Sequence, residues 1–243
     1  MQLTLSNVFR MSLAAAVMVI GASAGQTADT PPSITAALFD KEHIGELPAG
    51  TELTYKFERD GSEPKLLGPN YKDDVKITVD EVTDDGKRTV SVRVFTGHRG
   101  REARTITGLS GNPILVFYLD RAVVNFASLA GGNRAYHKNR FRIAMRTKGG
   151  LFPTTFQYKG KTVKGYRLAI RPYSGDKNLH KMKGYENAHF EVLMSDEVPG
   201  YFAEFTSAYE SPKDGSPSLR ERISIEGLEE TAKAEAKIPG DKK

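Results

Sequence analysis

The 243-residue chain has no cysteine and no tryptophan. Without cysteine there is no disulfide framework, no thiolate metal site, no thiol nucleophile and no acylated lipobox cysteine. The active-site signatures that depend on local spacing are absent too. None of His43, His98, His137, His180 and His189 forms an H-E-x-x-H or an i, i+4 pair. Ser110 sits in Gly108-Leu-Ser-Gly111, which is not the G-x-S-x-G elbow. There is no Walker loop and no G-x-G-x-x-G, so no nucleotide cofactor is implied and no catalytic or metal-ligating residue is assigned. Dispersed carboxylates of the glycosidase kind leave no local pattern, and they keep an envelope-directed hydrolase using scattered Asp, Glu or His as the alternative to a binder. A structural subunit of an envelope complex is a third reading.

No apolar run reaches the roughly 20 residues a membrane span needs. The one short run, residues 13–20, follows Arg10 and precedes Gly21-Ala22-Ser23-Ala24. A basic n-region, a brief apolar h-region and an A-x-A site have the form of a secretory signal peptide over residues 1–24. The expected mature protein is exported, without an integral span, and periplasmic in a Gram-negative cell.

Acid is missing where base is dense. Residues 121–175 hold no Asp or Glu but carry twelve Lys or Arg. The net charge is +5, or +4 once Arg10 is removed; subtracting the window's +12 leaves −8 for the rest of the mature chain. Such segregation creates a field for anionic partners. In an exported protein these are anionic lipid, lipopolysaccharide or a lipoprotein, and not nucleic acid. Lys138, Arg140, Arg142 and Arg146 fall within one short helical stretch, where guanidiniums suit bidentate contacts to phosphate or carboxylate. The bland alternative is a set of solvated faces neutralised by acids elsewhere.

Hydrophobic residues make up 39% of the chain, enough for a packed core. They are arranged with period two over most of the length. Leu53, Tyr55 and Phe57 form one stripe, Val75, Ile77 and Val79 the next, and Val90, Val92 and Val94 another. Asp84-Asp85-Gly86-Lys87 reads as a hairpin turn. Weaker or later strands are expected at 101–107, 155–158, 162–171, 189–194, 201–209 and 220–226, with polar loops at 59–74 and 172–187 and an extended lead-in at 26–36. Residues 112–150 break the pattern. Asn112-Pro113 and Gly131-Gly132 bracket one helix, 113–130; Asn133 and Gly149-Gly150 bracket a second, 134–148. The first helix is apolar nearly all round, so it is expected to be covered on more than one side or to present an apolar surface. Phe117, Tyr118 and Phe126 are its candidates for lining an apolar ligand cavity, plain core being the competing explanation. The fold class expected is α+β: one domain over 37–228, a curved antiparallel sheet of about eight or nine strands with the helical hairpin packed on its apolar face. Residues 229–243 read as a flexible tail.

The stretch Gly111-Asn-Pro-Ile-Leu-Val-Phe-Tyr-Leu-Asp-Arg121, then Gly131-Gly132, Tyr136, Asn139, Arg140 and Arg142, with Val198-Pro-Gly200 later, resembles an uncharacterised family of exported proteobacterial proteins. In architecture the expected fold is similar to the periplasmic lipoprotein carriers. That resemblance implies lipid or lipoprotein handling and assigns no residue a role.

Overall fold

The computed structural model describes residues 31–147 and 149–229, within the compact unit that begins at Pro31. The expected leader (1–24) and, Glu229 apart, the expected tail lie outside the described residues.

Nine strands form one open, curved, wholly antiparallel sheet. They are β1 (Glu52–Gly61), β2 (Tyr71–Val82), β3 (Arg88–Val94), β4 (Arg104–Leu109), β5 (Gly150–Tyr158), β6 (Lys161–Ile170), β7 (His189–Met194), β8 (Phe202–Tyr209) and β9 (Leu219–Ile225). Their order is β4-β3-β2-β1-β9-β8-β7-β6-β5. The chain therefore starts in the middle and walks outward to β4. It reappears at the opposite edge as β5, then walks back until β9 pairs with β1, Phe57 opposite Ile223. Everything but one step is a local antiparallel link. That step is made by α2 (Ile114–Ala130) and α3 (Arg134–Thr147); α1 (Pro64–Leu67) is a single turn between β1 and β2.

The length of the crossing explains why two helices are used. Eight interstrand spacings of about 4.8 Å give an edge-to-edge path of roughly 38 Å. The 17 residues of α2 cover only about 26 Å. Both helices begin on an asparagine: Asn112 Oδ1 accepts from Ile114 N at 3.1 Å, and Asn133 Oδ1 from Ala135 N at 2.7 Å. Gly131, at φ +80°, ends α2 with its N–H bonded to the Ala127 carbonyl.

The core lies between the sheet's inner face and this hairpin. Leu53, Tyr55, Phe57, Val75, Ile77 and Val79 are buried, as their alternation requires. On α2, Tyr118 donates to the Thr206 carbonyl (2.7 Å), and Tyr209 from β8 donates to the Ala122 carbonyl (3.2 Å). Phe126 stacks on Tyr173 at 3.9 Å between centroids, and Phe141 of α3 meets Phe190 of β7 edge-on at 4.5 Å. Each fully buried aromatic contributes about 1.5–3 kcal/mol.

Some expected boundaries differ, each for a local reason. Strand β2 begins at Tyr71, inside the expected polar loop, because Lys72 and Asp74 face solvent and ion-pair across the strand pair with Glu58 (3.1 Å) and Lys56 (3.2 Å). Strand β5 begins at Gly150 despite Pro153, which lies on a sheet edge where a missing N–H breaks no ladder bond. Residues 31–33 have no regular structure, but Ala36–Asp40 coil into a π-type turn that buries Ala37 and Leu38, so the lead-in is partly helical. The 172–187 loop is less polar than its composition, since Tyr173, Met182 and Tyr185 turn into the core.

Gly165 in β6 has the least room of the strand glycines. A Cβ there would sit 2.2 Å from the Met194 carbonyl oxygen on the adjoining strand. Gly165→Ala is expected to cost about 2 kcal/mol or more, as overpacking against backbone does, read as a lower midpoint in urea unfolding.

Candidate functional site

Helix α3 is amphipathic, and its charges divide by angle. Its buried side chains are His137, Phe141, Ala144 and Met145. Of the four cations singled out from the sequence, Lys138, Arg142 and Arg146 are exposed, in line with Arg134 at four-residue steps. Twelve residues at about 1.5 Å each make this a stripe roughly 18 Å long. None of Arg134, Lys138, Arg142 and Arg146 makes an ion pair among the described residues; Arg142 donates only to its helix neighbour Asn139 (2.7 Å). Like charges four apart destabilise a helix by about 0.2–0.5 kcal/mol per pair, so the stripe persists against a small cost. The amine of Lys183 lies beside Gly131, extending positive charge to the α2–α3 turn.

Arg140 is not part of the stripe. It flanks the buried face, pairs with Asp176 at 2.6 Å and donates to the Pro172 carbonyl at 3.3 Å. The same neutralisation recurs elsewhere in the acid-free window: Arg121 pairs with Glu221, and Arg167 with Glu191 at 3.3 Å. Charge segregated along the sequence is thus partly cancelled in space by acids from β7, β9 and the 172–187 loop.

His137 fixes α3 to α2. Its Nε2 meets the Gly131 carbonyl at 2.8 Å, so Nε2 carries the proton, and Nδ1 accepts from the Tyr173 hydroxyl at 2.9 Å. Burial, opposed by the Gly131 carbonyl, holds the ring below its ordinary titration range, in the neutral form. His43 is likewise held low by burial, its Nε2 2.8 Å from the Ala37 carbonyl.

Phe117, Tyr118 and Phe126 have their places in the packing. Tyr118 and Phe126 are buried, and half-buried Phe117 packs near Phe57 and Phe95. None of the three lines a pair of surface clefts of about 410 and 320 Å³. Beside the larger cleft is a group the sequence reading missed. Glu221 of β9, 4% exposed, accepts from Arg59 of β1 and from both Nε (2.9 Å) and Nη2 of Arg121 of α2. Arg121 also lies over the Phe57 ring at 4.7 Å. A signal was present: Leu219, Glu221, Ile223 and Ile225 occupy alternate positions of one strand, and an acid on an apolar stripe must be paired.

Two outcomes follow. Glu221→Gln leaves two half-buried guanidiniums without a counter-charge and is expected to cost about 3 kcal/mol in denaturant unfolding. The buried histidines bind protons more readily once unfolded. Stability is therefore full above the unfolded histidine value of about 6.5 and falls as pH drops through it toward the lower folded values. Melting temperatures measured across that window should show a shallower slope in a His43→Gln, His137→Gln variant.

Neither a protein-family model nor a curated protein matches the sequence, so the motif resemblance at residues 111–142 stands on those motifs alone. Among solved structures, the chain is similar to one in the Pseudomonas aeruginosa MucA/MucB complex (15% identity, TM-score 0.34, covering 79% of this chain and 56% of that one). It is also similar to the Mycobacterium tuberculosis lipoprotein LppX (10% identity, TM-score 0.32, 84% and 98% covered). A third similarity is to a LolA-superfamily protein from Nitrosomonas europaea (9% identity, TM-score 0.20, 83% and 96% covered). The chain spans little more than half the length of the MucA/MucB chain it matches, and at these scores none of the three bears on what this protein binds.

Proposed function

We propose that this is an exported binding protein that docks on anionic lipid headgroups of the cell envelope through the outer face of α3. The observation that carries the reading is the stripe Arg134, Lys138, Arg142 and Arg146: exposed, four apart, and without an acidic partner among the described residues. A solvated helix face ordinarily mixes signs, and favourable pairs at this spacing stabilise it. Here the helix forgoes that gain and presents one sign over its whole length. The adjoining face is committed to the core through Phe141 and Met145, so the exposed cations are carried on a fixed support. The leader pattern at residues 1–24 supplies the compartment, where phospholipid and lipopolysaccharide phosphates are the abundant anions. No helix among the described residues is long and apolar enough to cross a membrane, and docking in this way requires none.

Each cation near an anionic surface is worth about 1 kcal/mol. Four give roughly 4 kcal/mol, a weak contact near the millimolar range that strengthens when several copies or sites engage. In co-sedimentation, the protein is expected to bind phosphatidylglycerol vesicles and not phosphatidylcholine vesicles. Binding should fade as salt rises from about 0.05 to about 0.5 M. The Lys138→Glu, Arg142→Glu, Arg146→Glu variant should lose it, with an unchanged circular dichroism spectrum. Equal binding to both vesicle types, or full binding by the variant, overturns the reading.

A further inference from the structure

The cleft of about 410 Å³ between the α1 turn and α2 is separate from the α3 stripe and has a chemistry of its own. Leu67, Pro69 and Val124 give it apolar walls. Arg59 and Arg121 line it and share the single carboxylate of Glu221, and Asp120 at the rim brings the formal charge of the group to zero. Their donors are unevenly used. Arg121 spends Nε and Nη2 on Glu221, and its Nη1 makes no hydrogen bond with the described residues.

Four residues on, and so on the same side of α2, Asn125 also lines the cleft. It is only 6% exposed. Its Oδ1 accepts from Arg59 at 3.2 Å, which turns Nδ2 into the available group. That Nδ2 is buried beside the Tyr209 hydroxyl without a hydrogen bond of good geometry. A buried amide donor left over costs about 1–3 kcal/mol, and few are tolerated unless something else satisfies them.

We propose that this cleft binds a small monocarboxylate with an apolar substituent. One oxygen takes the Arg121 Nη1 donor, the other takes Asn125 Nδ2 once that side chain turns away from the Tyr209 hydroxyl, and the substituent lies against Leu67, Pro69 and Val124. The free donors call for a pair of acceptor oxygens, and a monoanion suits them better than a phosphate dianion, which would bring two negative charges to a cleft whose formal charge is already balanced. Asp120, exposed on the rim, penalises additional negative charge further.

The test is a calorimetric titration of the full chain with sodium hexanoate, with hexan-1-ol and inorganic phosphate as comparisons. Hexanoate is expected to bind one to one, and both comparisons at least about tenfold more weakly. Two exposed rim positions report on the site without entering the core. Asp120→Asn should tighten hexanoate binding about two- to fivefold at low salt. Ser128→Glu should weaken it about tenfold or more by opposing the carboxylate in a partly enclosed space. The side-chain amide resonance of Asn125 should shift on titration. No hexanoate binding, hexanol or phosphate binding as tightly, or an affinity indifferent to both substitutions would overturn the assignment. The vesicle-docking reading stands or falls separately, because the Lys138→Glu, Arg142→Glu, Arg146→Glu variant should titrate with hexanoate like the unaltered protein.

Discussion

The sheet begins and ends in its own centre, and that closure governs everything else. Because β9 pairs with β1, the chain must pass once from one edge to the other. The α2–α3 hairpin makes that passage over the inner face. A connection so placed cannot be polar on any side that faces the sheet, which accounts for the apolar character of α2. Its attachment is then specified by a few directional contacts within a largely non-directional core. These are the hydroxyls of Tyr118 and Tyr209 on opposite carbonyls and the bidentate grip of Arg121 on Glu221. Area burial supplies most of the free energy, and the polar contacts choose one placement of the helix among several that would bury similar area.

The two helices share the crossing and divide the labour. Helix α2 lies in the core and exposes little beyond Val116, Asp120 and Ser128. Helix α3 packs by one face only, through His137, Phe141, Ala144 and Met145, which frees the other for display. Cations from the same acid-free stretch consequently meet different fates. Arg121, Arg140 and Arg167 are drawn inward to Glu221, Asp176 and Glu191, whereas Arg134, Lys138, Arg142 and Arg146 stay in solvent. The inward group serves structure, and the outward group is the natural candidate for recognition.

Much of the fold was legible in the residues because its signals are local. Alternation at Leu53, Tyr55 and Phe57, and the Asn-Pro and Gly-Gly punctuation around the helices, depend only on backbone geometry and one-sided burial. The start of β2 at Tyr71 was not legible, because it rests on cross-strand ion pairs whose partners come from a different stripe. The separation of Arg140 from Lys138, Arg142 and Arg146 could be suspected from the helical angle, but its partner Asp176 lies thirty-six positions away in a loop with no fixed period. Glu221 was the clearest missed opportunity. Its place on the Leu219–Ile225 stripe announces a buried acid, although only the fold supplies the two arginines that answer it.

Asn112 ties three parts of the molecule together. While its Oδ1 caps α2, its amide donates to the Tyr55 hydroxyl of β1 and to the Gly200 carbonyl before β8, each at 2.9 Å. Gly200, at φ +75°, leaves no space for a side chain on that contact: a Cβ would lie 2.8 Å from the asparagine nitrogen. The first turn of α2 is thereby riveted to β1 and to the turn before β8, which come together only when β9 pairs between those two strands. A lengthwise slide of α2 would break its cap and both of these amide contacts at once, so the register of the helix on the sheet is set at its leading end.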